Sequence, residues 1–146
     1  MNNYNDIPVF PLKSIILPGG QFPLRIFERR YLDMIRDSLK TNSGFVIALT
    51  KKDADYISSV HDYACYVEIV DWSQLDGGLL GITVEGKSLV TLSNCKLDET
   101  NLLRGNAQQI KSGIDHLIPQ KYQILSKFYR KIYPEIKAYI FHNKSK

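Results

Sequence analysis

Apolar and polar positions recur along this chain with several different periods, and each change of period marks an element. From Gln21 to Phe27 the alternation is strict: Phe22, Leu24 and Ile26 fall on one side, Gln21, Pro23 and Arg25 on the other. That pattern predicts a half-buried strand. The period then lengthens. Leu32, Ile35 and Leu39 recur at helical spacing, Tyr31 and Met34 widen the stripe, and the charge of Glu28 suits a first helical turn. A helix from just after Glu28 to about Lys40 is expected, stopped by Asn42 or Gly44. Phe45-Val46-Ile47-Ala48-Leu49 is an unbroken apolar run, the mark of a short strand covered on both faces. After a polar connection from Lys51 to Asp62, Tyr63 to Trp72 is rich in aromatic and β-branched residues and reads as a strand. Strict alternation puts Cys65, Val67 and Ile69 on one face and Tyr66, Val70 and Trp72 on the other, with Glu68 as an intruder. Leu75-Asp76-Gly77-Gly78 supplies a hairpin turn. Leu79 to Glu85 returns with Leu80, Ile82 and Val84 inward, Gly86 reads as its end, and Leu89–Leu92 and Leu102–Ile110 read as two further strands.

Proline and glycine punctuate the first third. Proline lacks a donor for a central sheet position, so Pro8, Pro11, Pro18 and Pro23 point to edges, bends and strand starts. Pro18-Gly19-Gly20 can reverse the chain, since glycine reaches positive φ freely. Many short strands with one early helix define an α+β, mainly β chain built as a compact barrel-like sheet. The end of the chain differs. From Pro119 onward Tyr122, Leu125, Phe128, Tyr129, Ile132, Ile136, Tyr139 and Ile140 keep helical spacing, and Pro134 is expected to kink that helix at a cost of ~3 kcal/mol. The chain therefore divides into a β domain, residues 1–114, and a helical tail, residues 115–146.

Two blocks carry a family likeness. Pro8-Val9-Phe10-Pro11-Leu12, Pro18-Gly19-Gly20 and Ile26-Phe27-Glu28-Arg29-Arg30-Tyr31 form the first; Ile69 to Leu80, continuing into Gly81-Ile82-Thr83-Val84-Glu85-Gly86, forms the second. In this order they resemble the N-terminal domain of Lon proteases, and more closely its stand-alone bacterial relatives, over roughly residues 7–110. The resemblance implies a PUA-like β-barrel that recognises unfolded or degradation-tagged polypeptide. It also implies that the tail is a shortened form of the family's helical subdomain. It transfers no catalytic residue, because Lon cuts peptides in a separate serine–lysine domain driven by an ATPase module, and neither fits in 146 residues. A non-enzyme without cofactor or metal is therefore expected.

Gly81 to Ser88 formally matches the phosphate-loop pattern G-x-x-x-x-G-K-S, but Ile82-Thr83-Val84 is strand-forming and Leu89-Val90-Thr91-Leu92 offers no following helix, so ATP binding is rejected. Ser126-Lys127 reads as chance adjacency. His61, His116 and His142 show no metal-ligand spacing. Asp71, Asp76 and Glu85 border the hairpin as ordinary turn and strand-end charges. Cys65 and Cys95 form no C-x-x-C pair and read as small buried groups in a reducing compartment. With no basic or apolar leader in Met1–Asp6 and no apolar run of membrane-spanning length, a cytoplasmic protein that avoids membranes is expected.

Charge is uneven: residues 1–110 hold 11 basic and 13 acidic residues, a balance of −2, while residues 111–146 hold 8 and 2, a balance of +6. The basic, aromatic tail opens an alternative reading as an RNA-binding module, but its helical spacing argues for a buried stripe, against the barrel or in a homodimer. The candidate polypeptide contacts are Trp72, Tyr66 and Phe22. Trp72 reads first as a plug for the barrel's end and second as an aromatic anchor for a partner. Pro11, Pro18, Gly19, Phe27, Glu28, Arg30 and Tyr31 are read as structural, the last three locking a strand-to-helix corner through a charge pair and a packed ring.

Overall fold

The computed structural model describes residues 2–51 and 59–110. The helical tail, its Pro134 kink, Ser126-Lys127, His116, His142 and the expected self-association all lie outside the described residues. The elements follow in the order β1 (Asn3–Leu12), β2 (Gln21–Ile26), α1 (Arg29–Thr41), β3 (Phe45–Thr50), β4 (Val60–Gln74), β5 (Leu80–Leu97) and β6 (Leu103–Gln109). Neighbours run β2-β5-β4-β3-β1-β6, and β6 pairs again with β5. Five strands therefore close into a ring, β5-β4-β3-β1-β6, and β2 lies outside it as a wing beside the first part of β5. The expected mainly β barrel with one early helix is the observed architecture.

Closure sorts the apolar residues into two cores. Inside the ring, Val9, Val46, Ala48, Val90, Leu92 and Leu103 come from four strands, and Ala64 of β4 completes the set. Outside it, Phe45, Ile47 and Val67 of the wall meet Leu24 and Ile26 of the wing and Tyr31, Met34 and Ile35 of α1. β3 feeds alternate residues into both cores, which is why its sequence is apolar without interruption. Full burial of side chains such as Phe45 and Leu103 stabilises by about 1.5–3 kcal/mol each.

Four expectations need correction. Gly86 does not end a strand: β5 runs unbroken from Leu80 to Leu97, and the residues read as two strands are one. Gly86 is there because Leu17 is too close for a side chain; a Cβ would stand 2.3 Å from the Leu17 carbonyl oxygen. Pro8 and Pro11 do not mark an edge strand, because β1 pairs on both sides. They are tolerated by stagger: Pro8 lies opposite Arg104 of β6 before the β3 pairing begins at Val9, and Pro11 lies opposite Ala48 of β3 after the β6 pairing ends. On α1 the buried face is Tyr31, Met34, Ile35 and Ser38, while Leu39 is 39% exposed, so the stripe is rotated from the expected one. The fourth correction concerns Trp72.

Other turns follow from the residues present. Asn42 stops α1 in the left-handed conformation at φ 50°, donating its N–H to Ser38. Gly77 and Gly78 take positive φ in the β4–β5 hairpin. Pro23 occupies an outward position of β2: Gly86 N–H donates to the Gly20 carbonyl at 2.8 Å, so in the alternating ladder the backbone of Phe22, Leu24 and Ile26 faces β5 and that of Gln21, Pro23 and Arg25 turns away. The missing donor therefore falls on the outer edge and blunts it.

Between β5 and β6, Asp98 organises the loop. Its Oδ1 accepts from Thr100 N (2.7 Å), Thr100 Oγ1 (2.6 Å) and Leu102 N (3.1 Å), and its Oδ2 from Arg104 Nε (3.0 Å). Burial opposes ionisation, but these hydrogen bonds outweigh it and hold the carboxyl well below the usual carboxylate range. A depressed carboxylate adds stability above its unfolded pKa, near ~3.9, and loses it as pH falls further. Urea unfolding of the native chain should therefore weaken below about pH 4, and Asp98→Asn should lower stability at pH 7 while flattening that acid limb.

Candidate functional site

The β4–β5–β2 wing presents the first candidate surface. Cross-strand partners share a face, and three rows run across it: Phe22–Val84–Ile69, Leu24–Ile82–Trp72 and Ile26–Leu80–Gln74. A β-bulge produces this arrangement. Between Ile69 and Asp71 the register slips by one, leaving Val70 extra, and the slip returns Trp72 to the face of Ile69. Strict alternation had placed Trp72 with Tyr66; the bulge corrects that. Trp72 is 52% exposed, so it does not plug the barrel. Val84, Ile82, Leu24 and Ile26 are buried in these rows, whereas Phe22, Ile69 and Leu80 are half-buried against the outer core. The rows contain no charged residue. Val70, 45% exposed, and Asp71 project from the opposite side, where Asp71 Oδ1 accepts from Trp72 N at 2.9 Å.

The second candidate is the open end of the barrel. Tyr66, Glu68, Tyr4, Lys87, Ser88, Asn2 and Gln109 line a cleft of about 390 Å³ there. Tyr66 packs on the inner core, its ring stacked on Tyr4 at 4.6 Å and 12°. Its phenol oxygen accepts from Gly44 N at 2.9 Å. Burial raises the Tyr66 pKa, the Gly44 bond works the other way, and Tyr4 and Glu68 add to the rise, so the phenol stays neutral. Of the three candidate contacts, Phe22 and Trp72 thus share one face and Tyr66 stands apart.

The strand-to-helix corner carries the expected charge pair. Glu28 Oε2 accepts from Arg30 Nη2 at 2.6 Å and Nε at 2.8 Å, and Arg30 Nη1 donates to the Asn101 carbonyl at 2.8 Å. The guanidinium lies 4.8 Å from the Tyr31 ring, which packs against Phe10 at 4.6 Å. Phe27 differs from its neighbours in that motif: it is 68% exposed and joins neither core. Gly19 takes φ 85° and donates to the Gly86 carbonyl at 2.8 Å, fastening the Pro18-Gly19-Gly20 turn to β5. The phosphate-loop match, Gly81 to Ser88, lies wholly within β5. Both cysteines are free thiols, and burial pushes Cys65 up to about 11 against smaller opposing contributions from the Lys87 and Ser88 backbone. No helix among the described residues is long and apolar enough to cross a membrane.

A closed five-stranded barrel with a β-wing and one helix is the class of domain that these strands define. The family is shown by the sequence: residues 6–144 match the model of the ATP-dependent protease La (LON) substrate-binding domain, and the chain belongs to that family. A Lon N-terminal domain protein from Xanthomonas campestris has a similar structure, with TM-score 0.65 and 29% identity, covering 76% of this chain and 61% of that one. The N-terminal domain of the Mycobacterium avium complex Lon protease shares the fold, with TM-score 0.56 and 18% identity over 94% of this chain and 75% of that one. No curated protein matches the sequence.

Proposed function

We propose that this chain is a non-catalytic module that holds unfolded polypeptide against the apolar face of its β2–β5–β4 wing. One observation carries the reading: Trp72, half in solvent, lies one row from the half-buried Phe22 and Ile69 on the same face, whose three rows lack charge. Single exposed apolar residues are ordinary, but a contiguous set marks a contact surface. An extended segment sets side chains on one side about 6.6 Å apart, twice the rise per residue, which suits a face built of strand rows. Contact is made through side chains and not by adding a strand, because Pro23 blunts the outer edge of β2. Membership of a substrate-binding family supports the reading. Two free thiols, one of them deeply buried, support the cytoplasm as its compartment.

Trp72 is the only tryptophan, so it reports on its own face. Titration with a reduced, carboxymethylated model protein should shift its emission to the blue and raise its anisotropy, while the folded form of the same protein leaves both unchanged. Equal responses to folded and unfolded protein, or none across several salt concentrations, would overturn the proposal.

A further inference from the structure

The barrel mouth holds a feature that the wing does not use. Glu68 and Glu85 stand directly opposite one another on β4 and β5. Like charges so placed repel. The register slips beside them, from Val67–Gly86 to Tyr66–Ser88, so that Lys87 is the extra residue on β5. Its ammonium sits between the carboxylates, 3.1 Å from Glu85 and 3.8 Å from Glu68. The mouth is thus a concave cleft that already holds a cation beside two stacked tyrosines. That cation is weakly held: the lysine side chain is 41% exposed, and solvent-exposed pairs contribute about 0–1 kcal/mol.

We propose that the barrel mouth is a pocket for an arginine side chain of a bound polypeptide, which displaces Lys87 from Glu68. The guanidinium plane stacks on the tyrosine face, its fork meets the Glu68 carboxylate with two parallel hydrogen bonds, and Lys87 stays with Glu85. Ser88 and Gln109 line the rest of the cleft, where the Gln109 carboxamide oxygen accepts from Asn2 N at 3.2 Å and fixes that wall. Mouths of small barrels are recurrent ligand sites for this reason: a packed interior ends there in a ring of polar side chains. The proposal relies on the polypeptide reading only for the source of the arginine, and it uses no residue of the Trp72 face.

The test uses the full chain and capped arginine, N-acetyl-arginine amide, with N-acetyl-citrulline amide as the uncharged isostere. The arginine probe should perturb the NMR signals of Tyr4, Tyr66 and Glu68, and citrulline should not. Glu68→Gln should weaken the arginine probe at least tenfold. Lys87→Gln should tighten it several-fold, because a competing ammonium is gone; a lysine with only a structural role predicts no gain. Indistinguishable responses to arginine and citrulline on the wild-type chain would overturn the proposal without reliance on any variant. So would an affinity unchanged or reduced in a folded Lys87→Gln protein. Unfolded peptides that shift Trp72 emission, while arginine and citrulline act alike at Tyr66, would sink the mouth pocket and leave the wing reading standing. An arginine response at Tyr66 without any polypeptide response at Trp72 would do the reverse.

Discussion

Replacing Gly86 by alanine should cost this domain at least ~3 kcal/mol, a large share of the ~5–15 kcal/mol that holds a domain folded. The added methyl group would stand 2.3 Å from the Leu17 carbonyl oxygen and 2.9 Å from its carbon, both backbone atoms. A flexible side chain could step aside; this segment cannot, because the turn that follows it is fastened to Gly86 itself. Gly19 N donates to the Gly86 carbonyl and Gly86 N donates to the Gly20 carbonyl, each at 2.8 Å. Relieving the overlap means parting the turn from β5 and opening the outer core at Ile16 and Cys65. Gly77→Ala is the comparison. Nothing lies within 4 Å of its Cβ, and its φ of 75° costs only about 1–2 kcal/mol for an L residue. Urea midpoints of the two variants decide the matter: a Gly86→Ala protein no less stable than Gly77→Ala would refute the packing argument.

Trp72→Ala should weaken unfolded-polypeptide binding at least tenfold, about 1.4 kcal/mol, with little change in stability. The indole is half in solvent and joins no core, so truncation leaves no internal cavity. Phe22→Ala should weaken binding too, but with a stability loss, since its ring packs on the outer core. Tyr66→Phe should leave binding at the wing unchanged, because it lies at the mouth. Anisotropy of a labelled unfolded protein measures all three, and circular dichroism melts separate binding from folding. Full affinity in a folded Trp72→Ala protein would remove the wing as the contact.

The elements were legible because each has its own period: strict alternation in β2, an unbroken apolar run in β3, helical spacing in α1. The corner was legible too, since Glu28 and Arg30 are local partners and Tyr31 sits beside them. What escaped was everything set by a neighbour distant in sequence. Val70 looks like any strand residue, and only pairing with β5 reveals it as the bulge that turns Trp72 to the other face. Gly86 looks like a stop until Leu17 is seen pressing on it. Pro8 and Pro11 look like edge markers until the staggered registers of β3 and β6 are known. Leu39 has the right spacing for burial, but α1 rolls so that Ser38 faces inward instead. The barrel mouth had no sequence signal beyond Glu68 as a misplaced charge, and that intruder is its defining group.

β5 changes partner along its length, from β2 before Gly86 to β6 after it, while β4 accompanies it throughout. One continuous backbone is therefore spine to both the wing and the ring. Displacing the backbone of the wing would therefore strain the seam that closes the barrel, because the same strand runs through both.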